Sequence, residues 1–125
     1  MQSVEIYVLM DTGAKCNIIS HELYDMLPKE TIKVAESMDL QVANKSIVKT
    51  KFAVTLPIII QGYEYRHKFH VMPYGQTSRP CILGVPWLTR HKVNVDIINS
   101  QAVFHGQDYR VPFLQVHKIQ ELHQG

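Results

Sequence analysis

The chain has 125 residues, 46% of them hydrophobic, with 13 basic and 11 acidic side chains. That is the size of one ordinary domain with one core, and a formal charge of +2 spread along the sequence offers no block suited to gripping a phosphate backbone. No run approaches the roughly 18 apolar residues of a membrane span, the start lacks the pattern of a signal peptide, and two cysteines are too few for a disulfide scaffold. The expectation is a soluble, intracellular protein that binds neither nucleic acid nor membrane, with Cys16 and Cys81 reduced and semi-buried.

Strand signals dominate. Val4, Ile6, Val8 and Met10 alternate with Glu5, Tyr7 and Leu9, a period of two that runs into Asp11. Ser20 is a good N-cap, Glu22 sits in the next turn and Pro28 ends the run, so SHELYDML predicts a short helix. Met38 to Val42 and Ile47 to Val54 flank the polar ANKS, a hairpin tip in which Asn44 can take a left-handed conformation. Phe52, Val54, Leu56, Ile58 and Ile60 make a long one-sided strand ending at Gly62, with Pro57 implying an edge or a bulge. Tyr63, Tyr65, His67, Phe69 and Val71 then share one strand face, while Glu64, Arg66 and Lys68 share the other.

After PYGQTSRP comes the short apolar strand CILG. Pro86 opens a helix, PWLTRH, whose Arg90-His91-Lys92 end reads as solvated. Three strand pieces follow, VNVDII, AVF and YRVPFL. QVHKIQELHQG carries a faint helical pattern and is assigned to a C-terminal tail or linker remnant, residues 115–125, behind one domain of residues 1–114. Many short strands with two short helices predict an all-β, closed or partly open barrel.

The sharpest local feature is Asp11-Thr12-Gly13. Asp-x-Gly is a common tight turn, because Asp bonds its own backbone and Gly accepts positive φ. Here, however, the turn lies between the apolar run ending at Met10 and Ile18-Ile19, which places the carboxylate in the interior. A buried carboxylate is costly unless paired or protonated, a state used in catalysis by two carboxylates sharing one proton. The chain has one such triplet, so a two-carboxylate mechanism needs a second copy across a two-fold axis.

VLMDTGAKCNIIS, followed by CILGVPWLTRH and VNVDI, resembles a retropepsin-type aspartic protease, most of all those of Ty3/gypsy-class retroelements. The resemblance runs from residue 4 to residue 113. It implies a pepsin-like half barrel working as a homodimer, without metal or organic cofactor, that cleaves a Gag-Pol-like polyprotein in the cytoplasm within a virus-like particle. It also implies that Asp11 is catalytic, that the Thr12 hydroxyl locks the two loops across the axis, and that the Gly13 N–H bonds the Asp11 carboxylate. By the same resemblance Ala14 lines the cleft floor; Ile82, Leu83 and Gly84, counted with the substrate-binding residues, cross behind the active loop and buttress it, Gly84 because no side chain fits there; and Asn44, Lys45 and Ser46 form the flap tip. The flap differs from many in lacking glycines. Ten residues precede Asp11, fewer than the family carries, so either a strand lies upstream or Val93 to Leu114 supplies the dimer pairing.

Other readings are weaker. His67 and His70 point to opposite faces of a strand and cannot chelate one ion, so the histidines read as surface groups. Asp25 and Asp96 lack a following Thr-Gly and read as helix-surface and strand-end groups; Trp87 reads as a core anchor. The alternative to an enzyme is a catalytically silent barrel used for dimerisation or peptide binding, since fold alone does not fix function. The intact Asp11 to Ala14 box favours the enzyme.

Overall fold

The computed structural model describes residues 2–28, 31–42, 45–77, 79–96, 98–106, 109–112 and 114–122. Along them run β1 (Gln2–Met10), β2 (Ile18–Ser20), α1 (His21–Tyr24), β3 (Lys33–Gln41), β4 (Ile47–Ile60), β5 (Tyr63–Met72) and β6 (Cys81–Leu83). Then come α2 (Val85–Arg90), β7 (Val93–Asp96), β8 (Gln101–Phe104), β9 (Tyr109–Pro112) and β10 (Leu114–Leu122).

The main sheet has the order β10-β1-β6-β2-β5-β4-β3, and β10 also pairs with β4. That second pairing, Lys118 with Ile59 and Ile119 with Ile58, brings six strands round into a ring seamed by two residue pairs. β3 lies outside the ring on β4. β7, β8 and β9 form a separate antiparallel sheet.

The period-two patterns explain the ring. Val54, Leu56, Ile58 and Ile60 of β4 and Tyr65, Phe69 and Val71 of β5 are buried, together with Val8, Met10, Ile19 and Leu83. Each large apolar side chain removed from water contributes about 1.5–3 kcal/mol. Trp87 and Leu88 bring α2 onto this core, where Trp87 stacks near Tyr65 and Phe104. Pro57 sits where β4 passes from its β3 partners, which end at Val54, to its β10 partners, which begin at Ile58, so its missing N–H interrupts no ladder. Gln61 and Gly62 both have positive φ, 53° and 80°, and close the β4–β5 hairpin as a two-residue turn.

Several elements differ from the sequence reading. α1 ends at Tyr24 rather than running to Pro28, and the chain leaves it in tight turns, Met26 N–H to Leu23 C=O and Leu27 N–H to Tyr24 C=O. α2 begins one residue before Pro86. β7 stops at Asp96, which bonds the Asn99 backbone N–H and side-chain amide in the following turn. Ile97 and Phe113, assigned to strands from the sequence, lie outside the described residues. The tail is the largest difference: Leu114–Leu122 is not helical but a strand paired with nearly all of β1, so the sheet crosses the expected 114/115 boundary. Its faint helical spacing is overridden by the long unpaired edge that β1 presents.

Candidate active site

β1 delivers Asp11, and β6 lies parallel beside it, with Leu9 opposite Ile82 and Met10 opposite Leu83. The ladder continues into the turn, since the Asp11 N–H donates to the Leu83 carbonyl at 2.9 Å. Ala14 N–H closes the turn onto the Asp11 carbonyl at 3.1 Å. Gly13 N–H donates to Asp11 Oδ1 at 2.8 Å, fixing one carboxylate oxygen. A Cβ on Gly13 would approach that oxygen to 3.2 Å, so a small residue suits this position.

Behind the turn, Val85 N–H donates to the Ala14 carbonyl at 2.8 Å. The approach is so close that a Cβ on Gly84 would lie 2.5 Å from the Cys16 carbonyl oxygen and 2.6 Å from that of Ala14. Leu83 and Gly84 are buried there, so they support the loop from behind and present no surface to a ligand, whereas Ile82 is half-buried.

Asn17 ties these pieces together and was not picked out from the sequence. Its side chain is 4% exposed. Oδ1 accepts from Gly84 N–H at 3.0 Å, Nδ2 donates to the Lys68 carbonyl at 3.4 Å, and its own carbonyl accepts from His70 N–H at 2.9 Å. A polar residue between Cys16 and the apolar Ile18-Ile19 pair was the available signal, because a buried amide must find partners.

The position of the carboxylate corrects the expectation. Asp11 is half-buried rather than interior, and Thr12 and Gly13 are exposed. Flanking apolar residues turn into the core while the turn itself projects from the ring. Beside it, Thr12, Val85, Leu88, Lys92, Val93 and His105 line a groove of about 320 Å³.

The β3–β4 hairpin ends in a compact tip. Val42 N–H donates to the Ser46 carbonyl at 3.0 Å and Lys45 N–H to the Val42 carbonyl at 2.8 Å. Lys45, exposed, takes the left-handed conformation with φ 70°, while Asn44 lies outside the described residues. Met38, Leu40 and Val48 are half-buried on one face; Asp39, Gln41, Ile47 and Lys49 are exposed on the other. Near the hairpin's middle a β-bulge interrupts the pairing between Ala35 and Met38, and the buried Thr50 hydroxyl accepts from the Met38 N–H at 3.1 Å.

The histidines are not simply surface groups. His70 is 3% exposed, and His67 and His91 meet Nε2 to Nε2 at 2.7 Å against Trp87 and Tyr65. Burial, then His67 and Arg90, push the His91 pKa down to about 4; burial, then Arg90, lower that of His67. Asp25 accepts a hydrogen bond from the Tyr74 hydroxyl, whose pKa it pushes up to about 12. Burial raises both cysteine pKa values, and neither thiol is in a disulfide. Among the described residues no three metal-ligating side chains cluster, and no helix is long and apolar enough to cross a membrane.

A sequence profile of the PEG10/RTL1 protease domain matches residues 7–111. In three dimensions the chain is similar to the retroviral protease-like domain of Ddi1 from Leishmania major, with a TM-score of 0.57 at 16% identity, over 92% of this chain and 91% of that one. That likeness shows a mostly β, retropepsin-like fold. Among curated proteins none matches the chain in sequence.

Proposed function

Because the chain belongs to the PEG10/RTL1 protease domain family, we propose that it is an aspartic endopeptidase whose catalytic pair is Asp11 from each of two copies. The observation that carries this reading is the Asp11-Thr12-Gly13 turn itself: a carboxylate with one oxygen held by Gly13 N–H, braced from behind by β6 and Gly84, and presented at the protomer surface.

In the proposed reaction one Asp11 is ionised and its counterpart protonated. The ionised carboxylate takes a proton from water as the water oxygen bonds the scissile carbonyl carbon, and the protonated carboxyl gives its proton to the carbonyl oxygen. Collapse of the resulting gem-diol breaks the C–N bond; a proton from the pair reaches the amine, and the hydroxyl proton returns. The Gly13 N–H holds the ionised form in place throughout. Thr12 bonds across the axis, and Ala14 lines the floor. The β3–β4 hairpin, with Lys45 and Ser46 at its tip, covers an extended substrate bonded as an added strand. Its half-buried apolar face of Met38, Leu40 and Val48 suits apolar side chains. The resemblance to Ty3/gypsy-class proteases supports polyprotein junctions as the substrate, within a cytoplasmic particle.

The test is cleavage of a mixed library of apolar decapeptides at mildly acidic pH over a range of enzyme concentrations, beside Asp11→Asn. Specific activity that rises with concentration and vanishes in the variant is the expected result. A wild type that sediments as a dimer yet cleaves nothing would instead establish the silent binding module.

A further inference from the structure

We propose that Glu36 is a positioning residue for the Asp11 site: it latches the outer strand of the β3–β4 hairpin onto the same two β5 residues that hold Asn17, joining hairpin and active turn into one connected piece. The inference rests on the protease reading for its catalytic consequence, while the latch stands on contacts within the chain.

Among the described residues β3 pairs with β4 alone, and most of its residues are exposed. Such a strand needs a further anchor if the hairpin is to keep one position. Glu36 lies in the β-bulge, between the pairs Ala35 with Phe52 and Met38 with Thr50. Bulges re-aim side chains, and here both carboxylate oxygens of Glu36 lie 2.9 Å from Lys68 Nζ on β5. His70 Nε2 stands 3.5 Å from Glu36 Oε2.

Lys68 and His70 are also the residues that bond Asn17, through the Lys68 carbonyl and the His70 N–H, and Asn17 in turn holds Gly84 N–H behind the Asp11 turn. The Glu36–Lys68 pair is itself open to solvent, so its direct contribution to stability is small. Its effect is on position: it ends on the backbone segment that fixes the active turn, so the hairpin's position and the turn's position share one reference.

The experiment uses the full chain with Glu36→Gln, Glu36→Lys, Lys68→Glu and the double exchange Glu36→Lys/Lys68→Glu. Amide hydrogen exchange is read by segment, and kcat and KM on a cleaved decapeptide. Glu36→Gln is expected to speed exchange in β3 and the first half of β4 about two- to fivefold, with β6 and α2 unchanged. Glu36→Lys should exceed this, and the double exchange should recover much of the loss. KM should rise more than kcat falls. Unchanged hairpin exchange in Glu36→Lys, an equal rise in every segment, or no recovery in the double exchange would each overturn the latch. If the wild type cleaves no peptide, the protease reading fails, and the exchange data still decide whether the latch exists.

Discussion

The Asp11 turn and the tip of the β3–β4 hairpin are both short and both face solvent, yet they are held by opposite means. The first is enclosed from behind: Leu83, Gly84 and Val85 meet it backbone to backbone, and Asn17 occupies the remaining space. The second is closed by two backbone hydrogen bonds and a lysine in a conformation that suits glycine. One turn tolerates almost no change of shape and the other tolerates much. On the proposed protease reading, that division gives a rigid reacting group under an adjustable cover.

The comparison breaks first at Gly84. Gly84→Ala would drive a Cβ to 2.5 and 2.6 Å from two carbonyl oxygens, and backbone cannot yield as a side-chain end can. The expected cost is about 3 kcal/mol or more, read as a fall in Tm of more than about 8 °C or as failure to fold. Next is Asn17→Ala, which strands the buried Gly84 N–H and should cost about 1–3 kcal/mol in denaturant unfolding. Asn17→Asp keeps an acceptor for that N–H but buries a carboxylate and turns an oxygen towards the Lys68 carbonyl, so it should cost at least as much at neutral pH and less as the carboxyl protonates. A cost of Asn17→Asp that did not change with pH would mean that the side chain acts through packing and not through its hydrogen bonds.

The histidine pair gives a test by pH. His91 titrates near 6.5 when unfolded and near 4 when folded, with burial as the main cause. Its depressed pKa means that the contribution is fully present above pH 6.5 and is lost as pH falls towards 4. Because the ring is only half-buried, solvent screening should hold the effect to about 1 kcal/mol. Melting curves from pH 7 to pH 4 should fall for the wild type and fall less for His91→Phe. An enzyme working through an acidic dyad would thus lose stability in the range where it operates.

How much of this was legible depended on whether a feature is local. The alternation through β4 and β5, the Asp-Thr-Gly turn, the Ser20 cap and the Gly84 constraint are all written in neighbouring residues or in a recognisable box. Asn17, Thr50 and Glu36 were not legible, because each acts on a residue that the chain brings near only after folding: Gly84, Met38 and Lys68. The same holds for His67 and His91, which looked like surface groups until β5 and α2 packed together. β10 was missed for a related reason: a weak helical spacing says nothing of an open strand edge more than a hundred residues earlier.

The smallest expected effect sharpens the contrast by reversing its sign. Lys45 holds φ at 70°, a conformation that costs a side chain with a Cβ roughly 1 kcal/mol and costs glycine almost nothing. Glycine also loses more freedom on folding, by about 0.5–1 kcal/mol, so Lys45→Gly should change stability little, from about zero to a gain of a few tenths. Asparagine accepts the left-handed region without that entropic loss, so Lys45→Asn should stabilise by about 0.5 kcal/mol, a shift in denaturant midpoint without change of slope. A β-branched residue there should destabilise by about 1 kcal/mol or more, since it is the poorest fit to positive φ. One methyl group is thus ruinous behind the Asp11 turn, while at the hairpin tip a whole lysine side chain can be removed with no loss. If Lys45→Asn were instead destabilising, the tip would be held by contacts of the lysine itself, and the cover would be less adjustable than its backbone implies.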